Sequence, residues 1–145
     1  MVEEEVVSRK LAMLRQHVDA LRAATDITWE KYRTDLRARA FVERYLHLAT
    51  EAVLDLGNHI VSQEGWREPK GYADLFAVLS ENGVIPPQRL GEFQRMAGFR
   101  NLLVHRYEQV DDEIVYGVFR KRLGSYEEFA ELVAQWMKKA GTLGG

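Results

Sequence analysis

The chain has 145 residues, of which 46 % are apolar and 29 % charged, with a net charge of −2 and no cysteine. That is enough chain for one compact domain with its own core, and too apolar for a disordered segment. Disulfides and thiolate metal sites are excluded, and the charge balance gives no general attraction to nucleic acid, so any contact with RNA or DNA has to rest on a local site.

No apolar run approaches the roughly 18 residues that span a bilayer. The first five residues, Met1 to Glu5, are acidic rather than basic and have no apolar signal core. The expectation is a cytoplasmic protein without a membrane partner.

Val7, Leu11, Leu14, Val18 and Leu21 recur at spacings of four and three and predict an amphipathic helix from about Glu3 to Ala24. Thr25 to Thr28 breaks it, and Trp29 to Arg33 reads as a polar-aromatic connector. A long helix follows from Thr34-Asp35, either of which can cap it, to about Val61. Its stripe of Phe41, Tyr45, Leu48, Ala52, Leu56 and Ile60 is widened by Val42, Leu46, Val53 and Leu54, which predicts burial on more than one side. Gly57 is its weak point, with Asp55, Asn58 and His59 as polar neighbours on one face.

Gln63 to Lys70 is loop-like, and a short helix spans about Tyr72 to Glu81, closed by Asn82-Gly83. Pro86-Pro87 opens a fourth helix, which carries Leu90, Phe93, Met96, Ala97, Leu102 and Leu103 and ends near His105 or Tyr107. Gly91 and Gly98 lower its propensity and suggest close approach of another backbone. A last helix opens near Asp111-Asp112. Gly124 kinks or breaks it, Ser125 to Glu128 forms a capping box for a restart, and the stripe continues to about Ala140 before a loose Gly-rich tail at 141–145. No segment alternates like a strand. The fold class expected is all-α: one domain over residues 1–145, an antiparallel up-and-down bundle of about five helices.

One stretch concentrates chemistry. Arg100, His105 and Tyr107 form R-x4-H-x-Y, with Asn101 directly after the arginine. Arginine offers a fixed fork of donors to a phosphate, and histidine exchanges a proton near neutral pH. Together they suit cleavage of RNA without a metal: one group takes the 2′-hydroxyl proton and another stabilises the charged phosphorane. Asn101 stands four residues before His105, on the same face of a continuous helix, where it can orient the ring or donate to a phosphate. Arg100 and His105 are about 140° apart around a regular helix, so they converge only if the arginine reaches across or the helix unwinds. One chain supplies one such histidine; a homodimer would supply two. On residue chemistry alone, helix-end capping and surface hydrogen bonding explain the same residues, because the spacing is short and arises by chance. Asp55 and His59 are too few for a metal site, and the blander role of Asp55, Asn58 and His59 is a buried polar network beside Gly57.

The stretch Arg100 to Tyr107 nevertheless resembles the R-x4-H-x-Y motif of HEPN-domain proteins of the HepT type. Glu43-Arg44, the run Glu51 to His59, Tyr72 to Leu79, Asn82 to Ile85 and Met96 to Phe99 match that family in order. The resemblance implies a helical homodimer with its cleft at the interface, acting as a metal-independent endoribonuclease that leaves a 2′,3′-cyclic phosphate and needs no cofactor. It implies the toxin of a toxin–antitoxin pair, silenced by a minimal nucleotidyltransferase antitoxin that transfers AMP to the motif tyrosine. Carried over, Arg100 and His105 are catalytic, Asn101 supporting and Tyr107 the modified hydroxyl; Asp55, Asn58 and His59 become candidates for lining the cleft. The alternative is a non-catalytic helical dimer that binds a nucleotide or a partner protein.

Overall fold

In the computed structural model, residues 3–104 and 111–144 are described, with side chains to Gly141. His105 and Tyr107 lie outside the described residues. Among those described there are seven α-helices and one 3-10 turn, and no strand. The helices are α1 (Glu4–Ala23), α2 (Trp29–Thr34), α3 (Leu36–Glu64), α4 (Tyr72–Glu81), α5 (Leu90–Val104), α6 (Asp112–Lys121) and α7 (Leu123–Gly144). None is long and apolar enough to cross a membrane.

The α1 stripe is buried as its spacing predicts, with Val7, Leu11, Leu14, Val18 and Leu21 all inward. The α3 helix is the hub: it packs against every other helix of the bundle. Ala38, Val42, Leu46, Ala49, Val53, Leu56 and Ile60 supply its inner surface. Asp35 caps it, Oδ1 accepting from the backbone N–H of Arg37 at 2.9 Å and of Ala38 at 3.3 Å. Gly65 at φ +70° closes it in the left-handed conformation that glycine adopts without strain.

The expected count of five helices is corrected to seven. Trp29 to Arg33 is helical because Thr28 caps it, accepting from Lys31 N–H at 3.1 Å, and because Tyr32 is fully buried. The Tyr32 hydroxyl donates to Glu43 of α3 at 2.8 Å. A six-residue helix is too short to hold itself, so these tertiary contacts supply what length does not. The second difference is the break before α7, which falls at Arg122 rather than Gly124. The expected capping box is not used. Ser125 Oγ donates to Glu92 on α5 at 2.7 Å, and Glu128 takes the two-pronged Arg89 at 2.9 and 2.7 Å. Finally, α7 continues past Ala140 to Gly144.

Pro87–Arg89 forms the 3-10 turn, and α5 follows directly. Phe93 of α5 meets Phe76 of α4 and Phe129 of α7 with ring centroids 6.0 and 5.8 Å apart, which fixes α5 in the core. The close helix approach is at Gly57, where an added Cβ would stand 3.2 Å from Leu75 and Leu79 of α4. At Gly91 and Gly98 it would meet nothing within 4 Å, so the close approach expected there is absent among the described residues.

Candidate functional site

The α5 helix buries Phe93, Met96, Ala97, Phe99 and Leu103, and this sets the direction in which Arg100 leaves it. The Arg100 side chain is 21 % exposed and lies toward α3 and α4. Its Nε donates to Glu51 Oε1 at 2.8 Å, and its guanidinium carbon lies 4.9 Å from the centroid of the Tyr72 ring. The charge is thus held between a carboxylate and an aromatic face, both favourable to it. The Glu51 hydrogen bond raises the Arg100 pKa further above its ordinary value, against a smaller opposing effect of burial. Arg100 is cationic at every physiological pH. Among the described residues its two terminal nitrogens take no hydrogen bond.

Glu51 belongs to a polar stripe on the outer side of α3: His47, Glu51, Asp55 and Asn58 at successive turns. His47 Nε2 is 3.7 Å from Glu51 Oε1, the same oxygen that holds Arg100. One turn further, Asp55 accepts from Lys10 of α1 at 2.5 Å. Asn58 is exposed. His59 lies off this stripe and partly inside, with its Nε2 buried and without a hydrogen-bond partner among the described residues. The polar network expected around Gly57 is therefore not a buried one: Asp55 and Asn58 face outward and only His59 turns in. No third His, Asp or Glu joins Asp55 and His59 in a metal-like cluster among the described residues.

Asn101 is exposed on α5, next to Arg100 in sequence. Arg100 and Asn101 thus stand on the solvent-accessible part of α5, one on the α3 side, while His105 and Tyr107 follow beyond Val104, outside the described residues. The residues that sequence reasoning passed over are Glu51, His47 and Tyr72. A signal for the first two was present: His47, Glu51 and Asp55 repeat every four residues on a helix whose other faces are apolar.

A concavity of 570 Å³ lies between α5, α6 and α7. Met96, Phe99 and Leu102 form one wall, Ile114 and Val118 the other, and Arg95 and Lys121 sit at its edge. Arg100 and Asn101 take no part in it. Its surface is mostly apolar, and Glu92, Glu113 and Arg122 also line it.

The comparisons with known proteins agree on one family. The family model described as "Ribonuclease HepT-like" matches residues 14–133. The tRNA nuclease HepT of Aphanizomenon flos-aquae is 23 % identical over 138 residues, covering 94 % of this chain and 92 % of the relative. The mRNA nuclease HepT of Shewanella oneidensis is 24 % identical over 129 residues, covering 89 % and 96 %. The solved structure of a tri-AMPylated Shewanella oneidensis HEPN toxin in complex with MNT antitoxin superposes with a TM-score of 0.81 at 24 % identity, over 92 % of this chain and 99 % of that one. At that identity the structural likeness speaks for the helical fold.

Proposed function

The chain belongs to the HepT-like ribonuclease family, and on that premise we propose that it is a HEPN toxin that cleaves RNA by phosphoryl transfer with no metal ion, using Arg100 and His105. The ribose 2′-hydroxyl attacks the adjacent phosphorus while His105 takes its proton. Arg100 donates to the equatorial oxygens of the phosphorane, where negative charge builds up. The P–O5′ bond then breaks, the leaving 5′-oxygen takes a proton, and the products are a 2′,3′-cyclic phosphate and a free 5′-hydroxyl. A homodimer brings two copies of the motif to one cleft, so that the second histidine can supply the proton to the leaving oxygen. Asn101 supports this by orienting the His105 ring or by donating to a phosphate. Asp55 and Asn58, on the same stripe as Glu51, border the cleft.

The observation that carries the reading is the state of Arg100. It is tethered through Nε alone, with both terminal nitrogens uncommitted among the described residues. That is the geometry in which a guanidinium meets two oxygens of a phosphate. The Shewanella oneidensis toxin was solved AMPylated and with MNT antitoxin, and this supports a nucleotidyltransferase partner here. AMP on Tyr107 would place a bulky negative group two residues from His105, filling the cleft and repelling RNA phosphates.

The test is RNA cleavage with excess chelator by wild type, Arg100→Ala and His105→Ala, after mass spectrometry has shown Tyr107 to be unmodified. The expected result is cleavage by wild type that leaves a cyclic phosphate and is lost in both variants. Folded, unmodified dimer that cuts none of a varied set of RNAs would sink the ribonuclease reading. Equal cleavage by all three proteins would remove Arg100 and His105 from it.

A further inference from the structure

We propose that Glu51 is a positioning residue for Arg100: it fixes the guanidinium from behind, through Nε, so that the two terminal nitrogens point at the scissile phosphate. The proposal rests on the catalytic role given to Arg100 above.

An arginine carries four side-chain torsions, and an unheld guanidinium samples many positions. Phosphorane stabilisation needs donors placed before the reaction begins, since misplacement by about 1 Å can cost about 100-fold in rate. Two contacts remove that freedom. Glu51 Oε1 accepts from Nε at 2.8 Å, and the Tyr72 ring lies under the guanidinium at 4.9 Å. One contact fixes where the group stands and the other fixes its plane. They come from α3 and α4, two elements locked together at Gly57, where Leu75 and Leu79 of α4 close onto α3.

Which nitrogen Glu51 holds matters. In the Arg67 pairs with Asp74 and Glu81 both terminal nitrogens are taken, and in the Arg89 pair Glu128 takes one terminal nitrogen along with Nε. Those arginines are committed to structure. At Arg100 the carboxylate takes Nε alone, and among the described residues neither terminal nitrogen has a hydrogen-bond partner. His47 also stands beside Glu51, with Nε2 3.7 Å from the same oxygen. Neutralising Glu51 while keeping an acceptor at Oε1 preserves the tether; removing the acceptor does not.

The experiment is steady-state RNA cleavage by wild type, Glu51→Gln, Glu51→Ala, Arg100→Ala and the double variant Glu51→Ala/Arg100→Ala, with thermal melts of each. Glu51→Ala should lower kcat at least about tenfold with KM changed less than about twofold, as befits an effect confined to the transition state. Glu51→Gln should stay within about threefold of wild type, because its amide oxygen accepts from Nε. The double variant should be no slower than Arg100→Ala alone, because Glu51 acts through Arg100 and the two effects do not add. A pair whose carboxylate is 42 % exposed is well solvated and contributes little to folding, so the Tm of Glu51→Ala should fall by no more than about 3 °C. Wild-type activity in Glu51→Ala, failure of Glu51→Gln to rescue, or full additivity in the double variant would overturn the proposal while leaving the ribonuclease reading in place. A wild type that cuts no RNA overturns both, and is recognised from wild type alone.

Discussion

Inside the bundle, one buried hydroxyl pair makes a prediction whose sign and order follow from counting protons. Thr50 on α3 and Tyr126 on α7 are both buried, and their oxygens are 2.7 Å apart. Thr50 Oγ1 also lies 2.7 Å from the Leu46 carbonyl, one turn back. A threonine hydroxyl has one proton, and a carbonyl can only accept, so Thr50 donates to Leu46. Tyr126 must then donate to Thr50. Tyr126→Phe removes the donor and leaves Thr50 bonded to Leu46, with one lone pair unmet; the expected loss is about 1 kcal/mol. Thr50→Val removes the acceptor and strands a phenolic O–H in the core; the expected loss is about 2 kcal/mol. The double variant removes both polar partners and should lose at least about 1 kcal/mol less than the sum of the single losses. Urea titrations of the four proteins, fitted with a common m-value, measure this directly. Equal losses in the two single variants, or additive losses in the double, would refute the assigned direction of the bond.

Three further outcomes follow from other sites. Gly57→Ala gains about 1 kcal/mol of helix propensity, but its Cβ stands 3.2 Å from two buried leucine methyls; the overpacking wins and the variant melts lower, with Gly57→Leu losing about 3 kcal/mol. Asp35→Ala should destabilise by about 1 kcal/mol by denaturant titration, because it leaves the Arg37 and Ala38 N–H groups at the start of α3 without their acceptor. Burial, and secondarily Arg44, lower the His17 pKa below 6.5, and its Nδ1 is buried without a partner among the described residues. The unfolded chain therefore binds the proton first, so the His17 contribution to stability is complete above about pH 6.5, is lost as pH falls below it, and levels off beneath the folded pKa. Thermal melts of wild type and His17→Gln between pH 5 and 8 should show a shallower decline in the variant.

Helix class and the main boundaries were legible because burial follows the three-and-four spacing of apolar residues. The inner residues of α1 are those its stripe predicts, whereas the buried line of α3 runs through Ala38, Val42, Leu46, Ala49 and Val53 to Leu56 and Ile60, and Phe41, Tyr45, Leu48 and Ala52 of the expected stripe are only half-buried. What the pattern lacked was any measure of tertiary rescue. Trp29 to Thr34 has no stripe to speak of, and it is helical because Tyr32 is fully buried and donates to Glu43. The same blindness misplaced the break before α7. Ser125 and Glu128 read locally as a capping box, yet Glu92 and Arg89 claim their side chains from α5 and the turn before it. Charge-assisted bonds to neighbouring elements outcompete a local cap, and no spacing rule records where those neighbours stand.

The site divides along the same line. Arg100 and Asn101 were legible as residue types next to a histidine, since phosphate chemistry draws on a short list of side chains. Of the stripe His47, Glu51, Asp55 and Asn58, the sequence reading singled out only Asp55 and Asn58 and grouped them with His59, although residues at i, i+4 and i+7 share a helix face and the spacing extends back to Glu51. The pairing of Arg100 with this stripe was not legible. Glu51 and Asp55 are equivalent by periodicity, but Lys10 of α1 reaches Asp55 and Arg100 of α5 reaches Glu51, 49 positions away in the chain. That choice is made by which helices pack against each side of α3. It follows that the carboxylate nearest the motif arginine is selected by the bundle and not by the motif, so a chain can carry R-x4-H-x-Y and still lack the partner that holds its arginine in place.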